Sequence, residues 1–282
     1  MAGPTVRRRR LGIELQRLRE AAGATRLDAA ATIDCSPARI GHIELGRNPP
    51  SKSDLIVLLR HLYGADEETL AALEELRKEA SKRGWWSTYS LPEWLAGYVG
   101  LEYDATSVRC LELELIPGLL QTEQYMRTIF TLGGPKPLSA KQVDRHVAAR
   151  LHRQERLTGD SPLQLTAIIS QAALERCSRD ETLAAPQLAQ LLDRASWPNI
   201  ELRVLPFALG LHVGMAGPFT LLTFPDQLLP DAAYQEYAVG GHVIDDQAVV
   251  SQLATLFSEL RSKALGPNES LDLITQLAEH HE

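Results

Sequence analysis

The chain has 282 residues, 44% of them hydrophobic and 23% charged, and carries a net charge of −7. That length points to two domains, and no apolar run approaches the roughly 20 residues of a membrane span, so a soluble protein is expected. Three cysteines, Cys35, Cys110 and Cys177, are odd in number and far apart; they give neither a disulfide framework nor metal-ligand spacing and fit a reducing cytoplasm.

Four arginines stand at positions 7–10, but LGIELQRLRE follows with charges on every turn, which excludes the apolar segment of a secretion signal. Leu11, Leu15, Leu18 and Ala22 recur at helical spacing and Gly23 ends the run, predicting a first helix over 6–22. Thr25 is placed to cap a short helix reaching residue 33, with Ala29, Ala30 and Ile33 as its inward face. Asp34 and Cys35 make a turn. Ser36 then caps a second short helix, and Pro37 takes its first position, where a missing N–H costs nothing. In this helix Ile40 and Ile43 face the core while Ala38, Arg39, Gly41 and His42 stay outside; Gly46 ends it, and Pro49 and Pro50 forbid continuation. Two short helices around a tight turn present the second one to the major groove of DNA.

Ser53 is expected to cap a fourth helix through residue 63, with Leu55, Leu58, Leu59 and Leu62 as its apolar face and Gly64 closing it. A fifth helix over 66–82 is acidic in its first turn and basic in its last, matching the helix dipole. These five helices make an all-α N-terminal domain over residues 1–83. Charge follows the same division. Residues 1–63 carry 11 Lys and Arg against 6 Asp and Glu, +5, whereas residues 64–282 carry 18 against 30, −12. A basic domain on an acidic remainder is the electrostatic footprint of a protein that presents one end to a polyanion.

The set Thr25, Arg26, Ala30, Ser36, Ile40, Ile43, Glu44 and Gly46 resembles the lambda-repressor and Cro type of helix-turn-helix found in bacterial xenobiotic-response-element-type regulators. Arg26 stands where that family commonly has Gln. On this reading Ala38, Arg39 and His42 are the base-facing residues: Arg39 forks onto guanine, His42 donates or accepts, and Ala38 packs on a thymine methyl. Thr25, Arg26, Ser36 and Arg47, at helix termini or just beyond, are the candidate phosphate contacts. The arginines at 7–10 are a candidate arm along the backbone or minor groove.

Beyond Gly84 the pattern mixes strands and helices. Leu111, Leu113 and Leu115 alternate with Glu112 and Glu114, predicting a half-buried strand that Pro117-Gly118 terminates. Helices are expected over 122–132, 139–158 and 185–196, and strands over 163–170, 200–206, 219–224 and 232–239. Two helices close the chain, one with Val249, Leu253, Leu256 and Leu260 on a face and one with Leu271, Ile274 and Leu277. The second domain, residues 84–282, is therefore read as α+β. RGWW, LPEW, YVGLE, LIPGLLQTEQY and the loop LPFALGLHVGMAGPF resemble the uncharacterised C-terminal domain fused to many of these regulators. That resemblance implies homodimerisation and receipt of a signal, often from a small companion protein, as in antitoxin-like members; a small-molecule effector held by the second domain is the competing expectation.

The loop has glycines at Gly210, Gly214 and Gly217 that let backbone approach closely, with His212 and Met215 among apolar residues, and is a candidate pocket wall. Tyr234, Glu236, Tyr237 and His242 lie on or after a nearby strand. The histidines are scattered and no nucleophile elbow, zinc-protease, P-loop or dinucleotide fingerprint occurs. No catalytic residue, metal or cofactor is therefore expected. The expected partner is double-stranded DNA, in the cytoplasm on the nucleoid and not at a membrane.

Overall fold

A computed structural model describes residues 4–132, 137–225 and 229–279. The chain forms two compact units, one built on Met1–Ser87 and the other on Thr88–Pro225 with Pro230–Glu282.

The first unit is helical: α1 (Pro4–Ala21), α2 (Arg26–Thr32), α3 (Pro37–Glu44), α4 (Lys52–Val57) and α5 (Glu67–Ala80). Leu11 and Leu15 of α1 join Ala29, Ala30, Ile40, Ile43, Leu55, Leu58 and Leu59 in one buried cluster. Ser51 caps α4, not Ser53: the Ser51 hydroxyl accepts the N–H of Asp54 at 3.1 Å, and Ser53 Oγ lies 2.9 Å from it. Ser51 stands three residues before Asp54, where its hydroxyl reaches the third helical N–H, whereas Ser53 already lies in the first turn. Beyond Val57 the helix widens over Leu58–Leu62, and the Tyr63 N–H bonds the Leu58 carbonyl five residues back. The arginines at 7–10 form no extended arm. They lie inside α1, where Arg7 pairs with Glu79 of α5 and Arg9 is buried.

The second unit is a six-stranded mixed sheet flanked by helices. Its elements are α6 (Glu93–Asp104), β1 (Ser107–Glu112), α7 (Glu123–Thr131), α8 (Ala140–Gln154), β2 (Gln164–Ser170), α9 (Gln171–Ser178), α10 (Ala184–Ala195), β3 (Ile200–Leu205), β4 (Phe219–Thr223), β5 (Ala232–Tyr237), β6 (Gly240–Ile244), α11 (Gln247–Lys263) and α12 (Pro267–Glu279). The strand order is β3-β2-β1-β4-β5-β6. β1, β2 and β3 run parallel, with Val108 beside Leu165 and Leu165 beside Ile200, while β4, β5 and β6 continue antiparallel. Parallel neighbours need crossovers, which the helix pairs α7–α8 and α9–α10 supply.

The first strand begins earlier than the leucine alternation predicts. It ends at Glu112, so Leu113 and Leu115 lie beyond it, and its buried residues are Val108, Cys110 and Leu111. α6, α9 and β6 have no counterpart in the predicted elements. On α11 the buried residues are Val250, Phe257 and Leu260, and Val249 sits at the rim. These three close one face of the sheet over Leu111, Ile168, Phe219, Leu221 and Ala233.

Buried polar groups tie the elements together. Glu102 of α6 accepts Arg153 Nε at 2.6 Å and Nη2 at 2.8 Å, and Tyr98 donates to it at 2.6 Å. The bend that follows β1 is satisfied by amides: Gln121 donates to the Ile116 carbonyl at 2.6 Å, and Gln187 donates to the Leu120 carbonyl at 2.8 Å while accepting the Thr122 N–H at 2.8 Å. This is the physical content of the LIPGLLQTE segment, since buried backbone groups without partners are costly. The outer edge of β3 is closed by the last helix and its approach, the Val204 N–H reaching Ser270 Oγ at 3.0 Å and the Leu265 N–H reaching the Val204 carbonyl at 2.9 Å.

Candidate nucleic-acid interface

The interface is built from two caps. At α2 the Thr25 hydroxyl accepts the Asp28 N–H at 3.2 Å, and the Asp28 carboxylate accepts from the Thr25 N–H at 2.8 Å and from its hydroxyl at 2.7 Å. This reciprocal box fixes where α2 begins. The Thr25 hydrogen bonds also hold the Asp28 carboxyl below its usual range. After Thr32 the chain reverses at Asp34, whose φ of 49° lies in the left-handed region that aspartate tolerates. The Cys35 N–H returns to the Ala30 carbonyl at 2.9 Å. Ser36 Oγ then accepts the Arg39 N–H at 3.3 Å, Pro37 occupies the first helical position, and α3 follows.

Ile40 and Ile43 anchor α3 in the core, 1% and 3% exposed. Ala38, Arg39 and His42 stand exposed on the opposite side, as the spacing predicts. Arg39 is held in place: its Nη2 lies 2.5 Å from Asp54 Oδ2, in the first turn of α4. Thr25, Arg26, Ser36 and Arg47 are also exposed. Of these, Thr25 is engaged by Asp28, and Arg26 directs Nε onto Glu44 Oε2 at 2.7 Å. Arg26 therefore braces α3 from α2 and still presents about half of its side chain, 49%, to solvent.

The centre of this bracing is Glu44, the last residue of α3. Its side chain is 1% exposed and takes Arg26 from one side and Arg19 of α1 from the other. The Glu44 hydrogen bond raises the Arg19 guanidinium further above its ordinary value. Burial, with the negative charge of Glu44 next, pushes the nearby Tyr63 hydroxyl up to about 12. Two glycines make the approach possible. A Cβ on Gly12 of α1 would stand 2.2 Å from the Glu44 carbonyl oxygen. Gly46, at φ 67°, turns the chain out of α3 where a Cβ would stand 2.6 Å from Arg9 Cα.

Arg19, Gly12 and Asp54 are the residues that sequence reasoning missed. Arg19 had a signal: it falls four residues after Leu15 on the apolar stripe, and a charge on such a stripe implies a buried partner.

In the second unit the structure brings Tyr234 and Glu236 together, hydroxyl to carboxylate at 3.3 Å, with Tyr234 buried and stacked on Tyr98 at 4.2 Å between centroids. The Tyr237 and His242 rings lie 6.2 Å apart across the β5–β6 hairpin. Among the described residues no group of three or more His, Cys, Asp or Glu is placed to hold a metal ion, and no helix is long and apolar enough to cross a membrane.

Two families match the chain. A helix-turn-helix domain matches residues 10–73, and a domain of unknown function, DUF5753, matches residues 95–276. No curated protein and no solved structure matches it significantly. The first unit is thus the helix-turn-helix domain of a DNA-binding regulator.

Proposed function

The chain belongs to the family of the domain of unknown function DUF5753, with a helix-turn-helix domain ahead of it, and on that premise we propose that it is a transcriptional regulator that binds its operator sequence-specifically as a homodimer. The observation that carries this reading is α3 itself: capped by Ser36, begun by Pro37, clamped from behind through Glu44, and exposing Ala38, Arg39 and His42 on its free side. Such a rod enters the major groove with its first turns against base edges. Ala38, Arg39 and His42 read bases, whereas Thr25, Arg26, Ser36 and Arg47 set register on phosphates. A two-fold dimer places its half-sites one helical turn, about 34 Å, apart and calls for a near-palindromic operator. The protein acts on the nucleoid in the cytoplasm and performs no catalysis. Its second unit receives the signal.

Selection of bound duplexes from a randomised library, followed by light scattering of the complex, tests the proposal. It predicts a near-palindromic consensus and two chains per duplex. A consensus without two-fold symmetry, or one chain per duplex, overturns the homodimer.

A second reading places a small companion protein on the second unit, in the manner of an antitoxin. It is favoured by Tyr237 and Val239, which stand 55% and 71% exposed at the β5–β6 turn. Co-purification from the native host separates the two, since a regulator driven by a small molecule comes down without a protein partner.

A further inference from the structure

β1, β2 and β3 run parallel and end together at Glu112, Ser170 and Leu205. Beyond their carboxyl ends lies a cavity of about 240 Å³, walled by Leu113 after β1, Ser170 and Ala172 at the start of α9, and Phe207, His212 and Met215 from the loop after β3. The crevice outside the carboxyl ends of parallel strands is where open α/β sheets bind their ligands, because helices and returning chain cannot fill it.

The loop is anchored at both of its shoulders. The Phe207 N–H donates to Gln171 Oε1 at 2.9 Å. Gly214 is seated so closely that a Cβ would stand 2.8 Å from Leu260 Cδ1 and 3.2 Å from Leu111 Cδ2. Between these anchors Gly210 turns the chain at φ 68°, a conformation that side chains disfavour. The loop so fixed keeps Phe207 and Met215 each 58% exposed at the cavity, and apolar area left in water is unfavourable by roughly 25 cal/mol per Å². In the same wall His212 turns its Nδ1 atom towards Gly214, where a Cβ would stand 3.1 Å from it, so that this nitrogen is enclosed by the loop itself.

The lining sets the chemistry. No Lys or Arg lines the cavity, so it offers no cation to a phosphate or carboxylate. Its acid, Glu114, is already paired with Arg176 at 2.6 Å. The volume falls below the roughly 300–1,000 Å³ of sites for drug-sized ligands. We infer that this cavity binds a small, uncharged, mostly apolar molecule. The inference deepens the reading of the second unit as the receiver of a signal and rests on that reading for its regulatory consequence alone.

Methionine methyl NMR on the full chain tests it with benzyl alcohol as probe and benzoate as its charged counterpart. The chain has three methionines; Met215 lines the cavity, and Met126, fully buried in another cluster, is the internal control. Benzyl alcohol shifts the Met215 methyl saturably and leaves Met126 in place, and benzoate binds at least tenfold more weakly. Ala172→Leu, which fills the cavity, abolishes the shift. Phe207→Ser, at a position 58% exposed, weakens binding at least fivefold and covers the case in which the filled variant does not fold. Absence of a saturable Met215 shift, equal shifts at Met126, or equal binding of benzoate overturns the inference. A saturable site whose occupation leaves DNA affinity unchanged would sustain the cavity and refute its regulatory use.

Discussion

The guanidinium of Arg19 meets the buried carboxylate of Glu44 twice, Nε to Oε1 at 2.5 Å and Nη2 to Oε2 at 3.3 Å. Through this contact α1 fixes the far end of α3, and the attitude of α3 decides which side chains reach a duplex. Removing one member of a buried, hydrogen-bonded charge pair typically costs about 3–5 kcal/mol, because the other charge is left without a partner. Glu44→Ala is therefore expected to lower the stability of the first unit by about that amount. Arg26→Ala leaves the Arg19 pair intact and removes a half-exposed partner, so it costs about 1 kcal/mol or less. Urea unfolding of both variants checks the order; an equal loss would mean that the Arg19 contact adds nothing to the clamp.

Gly12→Ala and Gly46→Ala force different repairs. At Gly12 the added carbon meets backbone at 2.2 Å, so α1 and α3 must separate, at a cost of about 1–3 kcal/mol or more. At Gly46 it meets the backbone of Arg9 and also strains a left-handed residue. Both variants are expected to melt earlier than Gly23→Ala, whose added carbon meets nothing although its φ is also positive. Thermal unfolding of the three decides it; equal melting would remove the close approach as the reason for these glycines.

Arg39 and Asp54 form a pair on the reading face. Arg39→Ala is expected to weaken operator binding by about 1–3 kcal/mol and relax preference at one base pair. Asp54→Ala frees the guanidinium to follow phosphates and removes an anion from the face. It should raise affinity for scrambled DNA while narrowing the ratio between operator and scrambled duplex. Anisotropy titrations on both duplexes measure this, and an unchanged ratio in Asp54→Ala would show that the pair does not orient Arg39.

Burial, followed by the negative charge of Glu236, raises the Glu112 carboxyl from its ordinary 4.5 to about 8, against the opposing pull of Arg150 and Arg153. The folded state therefore keeps a proton that the unfolded chain has released. Stability from this group is complete below about pH 4.5 and falls as the pH rises to about 8. Glu112→Gln should flatten that slope and make the second unit more stable than the parent at pH 8. Urea midpoints at pH 5, 6.5 and 8 test the sign; a parent protein that gains stability across the same window, with the variant following it, would contradict the assignment.

The helix-turn-helix was legible because its signals are local. Thr25, Ser36, Pro37 and Gly46 act within three or four residues of where they stand, and the structure places each in the role that its type implies. The bracing was not legible, because Arg19 and Asp54 take partners 25 and 15 residues away, and nothing local distinguishes Gly12 from any other helical position. In the second unit, α6 carries Gly97 and Gly100 among apolar residues on every side and follows Pro92, which supplies no side-chain cap, so neither a stripe nor a start signal marks it. β6 opens with Gly240 and Gly241, which read as a turn; it is a strand because β5 pairs with it along its whole length. The leucine alternation at 111–115 misled for a related reason: pairing with β2 and β4 fixes β1 upstream, β4 has no residue beyond Phe219 opposite Leu111, and β2 reaches only one residue past the partner of Glu112.

Whether α3 reads DNA is decided by retardation of genomic fragments by the full chain at modest ionic strength, beside Arg39→Ala. A discrete complex with a subset of fragments is expected, weakened by salt, with loss of that selection in the variant while non-selective binding persists. No complex with any fragment, or a selection that Arg39→Ala leaves unchanged, would contradict that role for α3.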